Sequence, residues 1–315
     1  MQQSVSEMRN EVTRLNQKRR RGGALQRKET IAGLLFVGPM LLGVGVMVLL
    51  PIVAAVYLSF AEWSMITGIE GVKWIGTENY DKLFQDSKFL KALRNNAVFL
   101  LTVPAYMAIS LALAVLINKH VYLKDAFKVV YFLPYISSVV AVATVWRVLF
   151  HPSMGPVNQF LMSIGIDDPP KWIADPKFAL LSVMMISVWI SIGYNMIVYM
   201  AGLQSIPKDL YEAADIDGAN GVVRFFRITL PLLSPTTFFL LITGIIYTFK
   251  VFDLIAVLTG GGPAGSTNVL VYYMYDTAFV NLKIGYASAQ AMVLFVCVLI
   301  ITLLQWVGQK KWVNY

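Results

Sequence analysis

Six apolar stretches, at about 31–60, 97–117, 127–150, 178–203, 235–258 and 286–308, dictate what this chain can become. Each is long enough to cross a bilayer core as a helix, which takes roughly 17–25 residues. None alternates apolar and polar residues over ten positions, so the pattern favours a helical bundle over a transmembrane barrel. The whole chain agrees: 57% of its residues are apolar and 14% charged, with a mean hydropathy of +0.64. An ordinary globular domain carries roughly a quarter charged residues. The expected fold is all-α, a polytopic membrane bundle of six transmembrane helices. Pro39 and Pro51 in the long first stretch predict a tilt or kink there.

Lys and Arg set the orientation. With the N-terminus cytoplasmic, segments 1–30, 118–128, 204–234 and 309–315 carry twice as many of them as loops 61–96, 151–177 and 259–285. The positive-inside rule then places both termini in the cytoplasm. The expected divisions are a basic cytoplasmic leader (1–30), a transmembrane domain (31–308) and a cytoplasmic tail (309–315). Lys18-Arg-Arg-Arg21 and Arg27-Lys28 precede the first apolar run. That order fits an uncleaved first span with its leader against anionic lipid, and no motif or aromatic interleaving supports nucleic-acid binding.

Between the fourth and fifth stretches lies a polar insert, 204–234, that a bilayer does not tolerate. Ser205 is expected to cap a helix whose first turn holds Pro207 and Asp209. Leu210, Ala213 and Ala214 fall on one face of it, small enough for close approach by another protein. Asp217-Gly218 ends that helix, Gly218 supplying a left-handed residue. A second helix from about Asn220 carries Phe225, Phe226 and Ile228, and Pro231 is expected to stop it. Two short helices at an angle make a knob, and a knob fits a cleft.

Glu212-Ala213-Ala214, Gly218, and Ile228-x-Leu230-Pro231, at their spacing, resemble the EAA signature of binding-protein-dependent ABC importer permeases. Leu258-Thr-Gly-Gly-Gly-Pro263, with Ser266-Thr267 and the aromatic run Tyr272-Tyr273-Met-Tyr275, resembles the last external loop of maltose-type carbohydrate permeases, in the MalF-like subunit. Asn79-Tyr80-x-x-Leu83-Phe84, Asp86, Phe89 and Ala92-Leu-Arg-Asn-Asn96 are a weaker match. The resemblance covers about 31–308 and corresponds to a six-span form without a large periplasmic domain.

That resemblance implies a second, MalG-like permease, two ATPase subunits and an extracellular or periplasmic solute-binding protein, with a sugar as cargo. ATP and Mg would be bound by the partner ATPase, leaving this chain with no cofactor, no metal and no catalytic residue. Glu212, Ala213, Ala214, Asp217, Gly218, Ile228, Leu230 and Pro231 would dock the ATPase, and Gly260, Gly261, Gly262 and Pro263 would face the binding protein. The same similarity assigns substrate to Ile190, Ser191, Tyr194 and Asn195 of the fourth stretch and to Phe249, Lys250 and Asp253 of the fifth.

Lys250 departs from the neutral amides of that family. It can pair with Asp253 across one helical turn, neutralising both, or it can meet the carboxylate of an acidic sugar such as a uronate-containing oligosaccharide. The glycine-rich run 261–267 lacks the lysine of a phosphate loop. Cys297 has no second cysteine to pair with, and His120 and His151 are far apart without a companion ligand. Two further function classes stand beside the carbohydrate permease. A permease for amino acids or anions would keep the insert but not the loop at 258–263. A sensor or intramembrane enzyme would explain only the spans, which hold no catalytic constellation.

Overall fold

The computed structural model describes residues 29–120 and 123–312 and divides the chain into two compact units, one ending at Tyr57 and one starting at Leu58. The basic leader and the extreme C-terminus lie outside the described residues. In the first unit, α1 (Glu29–Ser59, its last turn entering the second unit) is apolar all round and buries none of its most apolar window. Such a surface is stable against lipid or another apolar protein surface, not against water.

The second unit opens with a two-strand hairpin, β1 (Ala61–Glu62) antiparallel to β2 (Lys73–Trp74). Then come α2 (Glu78–Gln85), α3 (Ser87–Phe99) and α4 (Thr102–His120). α5 (Lys124–Ile136), α6 (Val139–Leu149), α7 (Pro156–Ser163) and the long α8 (Ala179–Gln204) follow. The polar insert forms α9 (Lys208–Ile216) and α10 (Gly221–Leu232), which leads into α11 (Ser234–Phe249). The chain closes with α12 (Asp253–Leu258), α13 (Leu270–Tyr275) and α14 (Ile284–Trp312).

Among the described residues, four helices are long and apolar enough to cross a bilayer singly, and two bent pairs raise the total to six. The departures from six straight spans have local causes. The second span starts at Ser87 and runs to Asn118, well before the expected 97. The third is broken by 93° between α5 and α6, where Ser137 and Ser138 adopt extended ψ angles of 151° and 124°. Pro134 sits in the turn before that break, and the Ser137 hydroxyl donates to the Leu133 carbonyl at 2.7 Å. The expected fifth span, 235–258, is not one helix: α11 ends at Phe249 and α12 restarts at Asp253.

Pro51 and Pro231 are accommodated in the same way. A proline ring inside a helix collides with the carbonyl four residues back. That carbonyl, of Met47 or Arg227, lies inside a π-helical turn in each case, Gly45–Leu49 and Phe225–Thr229. The wider turn moves it aside, and the amides of Leu50 and Leu230 donate five residues back, to Gly45 and Phe225. Pro231 therefore does not stop the second helix of the insert, which continues to Leu232 and bends by 62° into α11.

α8 organises the core. Val103, Tyr106 and Ala114 of α4 pack with Met196, Tyr199 and Met200 of α8 and with Leu240 of α11. A side chain at Gly193 would strike the Tyr131 carbonyl, so glycine there lets α5 lie directly on α8.

Candidate functional site

The insert forms a braced knob. Gly218 takes φ +73° after Asp217 closes α9, and the Asn220 side chain caps α10 by accepting from the Val223 amide at 2.9 Å. Tyr211 and Thr229 share a hydroxyl hydrogen bond at 3.0 Å, and Asp215 forms an ion pair with Arg224. These contacts fix the angle between the helices. Ser205 does not cap α9. It closes α8, its hydroxyl donating to the Gly202 carbonyl at 2.7 Å, and Pro207 holds the N-cap position instead. The expected small-residue face divides: Ala214 turns inward at 9% exposure, while Leu210, Ala213 and Glu212 remain exposed. Asp217 is exposed, and Ile228, Leu230 and Pro231 are half-buried. Ile216 at 87% and Phe226 at 61% exposure add apolar surface to the knob.

Away from the knob, where α4, α5, α8 and α11 converge, a cavity of about 210 Å³ is lined by Tyr106, Tyr135, Ser191, Tyr194, Asn195, Thr243, Gly244 and Tyr247. The rings of Tyr135 and Tyr194 stack at 4.9 Å. Gly244 has room for nothing larger because the Tyr106 hydroxyl occupies the place of a side chain. The Ser191 hydroxyl donates to the Ser187 carbonyl, and the Asn195 amide donates to the Ser191 carbonyl, both at 2.8 Å. Asn195 thus keeps its oxygen as an acceptor, and the tyrosines add hydroxyls and ring faces. Hydroxyls, an amide oxygen and ring faces are the groups that orient a polar, ring-shaped solute, here in a volume below the roughly 300–1,000 Å³ of small-molecule sites.

Of the residues named from sequence, Ser191, Tyr194 and Asn195 line this cavity. Ile190 is buried in an adjoining apolar cluster, and Phe249 packs with Leu83, Phe89 and Leu270. Lys250 and Asp253 are exposed at the break between α11 and α12. They do not lie on one helical turn and form no ion pair, because Val251 and Phe252 leave the helix between them. Tyr106, Tyr135, Thr243 and Tyr247 were missed. Hydroxyl-bearing aromatics inside apolar spans were the signal available for three of them.

At the end of the unit opposite the knob, Gly260, Gly261 and Gly265 adopt φ of 57°, 77° and 70°. Thr267 folds this loop on itself, donating to the Gly262 carbonyl at 2.8 Å. α3 holds it from outside: Lys91 donates to the Ala264 carbonyl at 2.7 Å, and Asn95 to the carbonyls of Gly265 and Asn268 at 3.2 and 2.8 Å. Asn96 accepts from the Leu270 amide at 2.7 Å. Asp86 caps α3 through the amides of Lys88 and Phe89 and also accepts the hydroxyls of Tyr273 and Tyr286 at 2.6 and 2.9 Å. Burial raises its pKa, but those two hydroxyls and two amides outweigh burial and hold the carboxyl below the usual range. The Tyr273 hydroxyl is pushed up by burial and by Asp86.

The family described as binding-protein-dependent transport system inner membrane component matches residues 83–313. The chain belongs to that family. It is 35% identical to the probable ABC transporter permease protein YesP of Bacillus subtilis, over 92% of this chain and 94% of that one. It is 38% identical to the sn-glycerol-3-phosphate transport system permease protein UgpA of Agrobacterium fabrum, over 77% of this chain and 83% of that one. Among solved structures it resembles a bacterial ABC transporter involved in import of the acidic polysaccharide alginate, with a TM-score of 0.80 and 25% identity over 93% of this chain and 99% of the other. A second, of the alginate transporter with an alginate pentasaccharide-bound periplasmic protein, gives 0.79 and 25% over 91% and 96%. This permease is therefore a multi-pass membrane subunit of a binding-protein-dependent ABC transporter, and its role is transport, not catalysis.

Proposed function

We propose that this permease is the MalF-like half of a pore that imports an acidic carbohydrate. A partner MalG-like permease would complete the pore, and two ATPase subunits, binding ATP and Mg, would drive it. The knob is read as cytoplasmic, along with both termini, and the glycine-rich loop as external, where Gly260–Pro263 meets the solute-binding protein. Exposed Glu212 and Ala213, with the apolar surface of Ile216 and Phe226, would seat in the ATPase cleft. A braced knob moves as one body, so closure of the ATPases would carry α8 and α11 with it.

The observation that carries the substrate class is an exposed Lys250 that, without lining the tyrosine cavity, follows its wall closely in the chain. Tyr247 lines the cavity, and Lys250 follows within three residues, exposed and free of Asp253. Tyrosine rings and an amide suit sugar rings and hydroxyls, and an ammonium with no ion pair among the described residues suits a carboxylate. The substrates named for UgpA and the alginate transporter are both anionic, which supports the same reading. UgpA also favours a second one, a small phosphorylated polyol.

Substrate-stimulated ATP hydrolysis by the reconstituted complex tests both, using neutral oligosaccharides, uronate oligosaccharides and sn-glycerol-3-phosphate. The expected result is stimulation by uronates, reduced roughly tenfold or more in apparent affinity by Lys250→Gln. Equal stimulation by neutral sugars in both proteins would remove Lys250 from recognition, and stimulation by glycerol phosphate alone would favour the second reading.

A further inference from the structure

Beneath the glycine-rich loop, a groove of about 550 Å³ separates the loop and α13 from the starts of α3 and α14. Its volume falls in the range of small-molecule sites, roughly 300–1,000 Å³. Five charged residues line it: Lys88, Lys91, Lys283, Asp86 and Asp276. Both acids accept hydrogen bonds from neutral donors and keep their charges, so three lysines against two carboxylates leave the groove with a net charge of +1. Asp86 accepts two hydroxyls and two amides, and Asp276 accepts from the Asn281 amide at 3.1 Å. None of the three lysines takes part in an ion pair among the described residues. Lys91 is spent on the Ala264 carbonyl, which leaves Lys88 and Lys283 as uncommitted cations.

Two neutral groups complete the lining. The Asn268 side-chain oxygen is buried without a hydrogen-bond partner. Tyr272 adds an aromatic ring, stacked 5.9 Å from Phe252. Phe252 lies in the α11–α12 break, two residues beyond Lys250, so the groove adjoins the segment that leads to the tyrosine cavity.

We propose that this groove is a subsite for a carboxylated sugar, lying outside the pore cavity, with Lys88 and Lys283 meeting the carboxylate and Tyr272 lying against the ring. It rests on the reading of this chain as an importer permease for an acidic carbohydrate. The subsite receives substrate leaving the binding protein and passes it toward Lys250, two weak anion contacts in series instead of one tight one. Weak, sequential contacts favour onward movement over retention.

The test uses the assembled complex in nanodiscs, with and without the binding protein, and a fluorescent oligogalacturonate as probe. Without binding protein, the wild-type complex should bind the probe, and Lys88→Gln/Lys283→Gln should weaken that binding roughly fivefold. Lys250→Gln in the same background should weaken it further. With binding protein, the double variant should raise the probe concentration for half-maximal ATPase stimulation while leaving the affinity for empty binding protein unchanged. Unaltered probe binding in the double variant, with wild-type stimulation intact, overturns the subsite but leaves the importer reading standing. Loss of affinity for the empty binding protein would overturn it too, by showing that the lysines hold an acidic loop of that partner. A wild-type complex that no uronate stimulates removes the acidic-carbohydrate reading, and the subsite with it.

Discussion

The knob and the glycine-rich loop occupy opposite ends of the same unit and are held in opposite ways. The knob is built from neighbours: Tyr211 reaches Thr229, Asp215 reaches Arg224, and Asn220 caps its own helix. The loop is built from strangers, with Lys91, Asn95 and Asn96 gripping it across some 170 residues of chain. A locally braced element keeps its own shape while it moves, and so passes its displacement to the helices at its two ends. An element clamped by distant helices reports on their position and cannot move without them. In a transporter the first suits a lever and the second a fixed docking rim.

The sharpest way to break this contrast is at Asp86, where one carboxylate joins the start of α3 to Tyr273 beside the loop and to Tyr286 at the start of α14. Asp86→Ala removes a helix cap and strands two tyrosine hydroxyls, a loss of about 2–4 kcal/mol. The purified permease complex should melt markedly lower and lose binding-protein affinity, while cross-linking between the knob and the ATPase persists. Acid should imitate the substitution. Because the folded carboxyl titrates below its ordinary value, its contribution is complete above about pH 4 and disappears as pH falls through the lowered folded value. The thermal stability of wild type should therefore fall more steeply than that of Asp86→Asn as the pH drops below about 4. Parallel curves would show that Asp86 is not the clamp.

A smaller effect is expected at Gly218. No atom lies within 4 Å of where its side chain would stand, so substitution acts on the backbone alone. The left-handed conformation costs a non-glycine residue about 1–2 kcal/mol, and a β-branched one is at the upper end. Gly218→Val should leave global stability and binding-protein affinity nearly unchanged but lower substrate-stimulated ATPase, and Gly218→Asn, which tolerates positive φ, should restore much of it. If valine were as well coupled as glycine, the angle of the knob would not matter.

The same contrast explains what could be read from sequence. The turn at Gly218 and the start at Asn220 were legible because their signals are adjacent in the chain. The errors there, Ser205 as a cap and Pro231 as a stop, came from alternatives equally local: a hydroxyl that closes the previous helix and a π turn that admits proline. The pocket was half legible. Ser191, Tyr194 and Asn195 share one helix, whereas Tyr106 and Tyr135 arrive from helices that only packing brings near. Lys250 and Asp253 failed as a pair for a related reason. Nothing between them is a glycine or proline, and the helix breaks where Phe249 and Val251 are buried while Phe252 joins Tyr272 and Tyr275.

The finest test concerns Glu212, where stability and function should come apart completely. It is exposed, and neither a hydrogen bond nor an ion pair to another described residue holds it. Glu212→Gln should therefore change the melting temperature by no more than about 0.5 kcal/mol equivalent. If the knob is a lever whose charge meets the ATPase, that silent substitution should still slow substrate-stimulated ATPase severalfold. The loop offers no such position: Lys91 and Asn95 both hold its backbone, so altering either disturbs fold and function together. A Glu212 variant that destabilised the permease, or one that left coupling untouched, would erase the distinction between an end built to be gripped and an end built to be held.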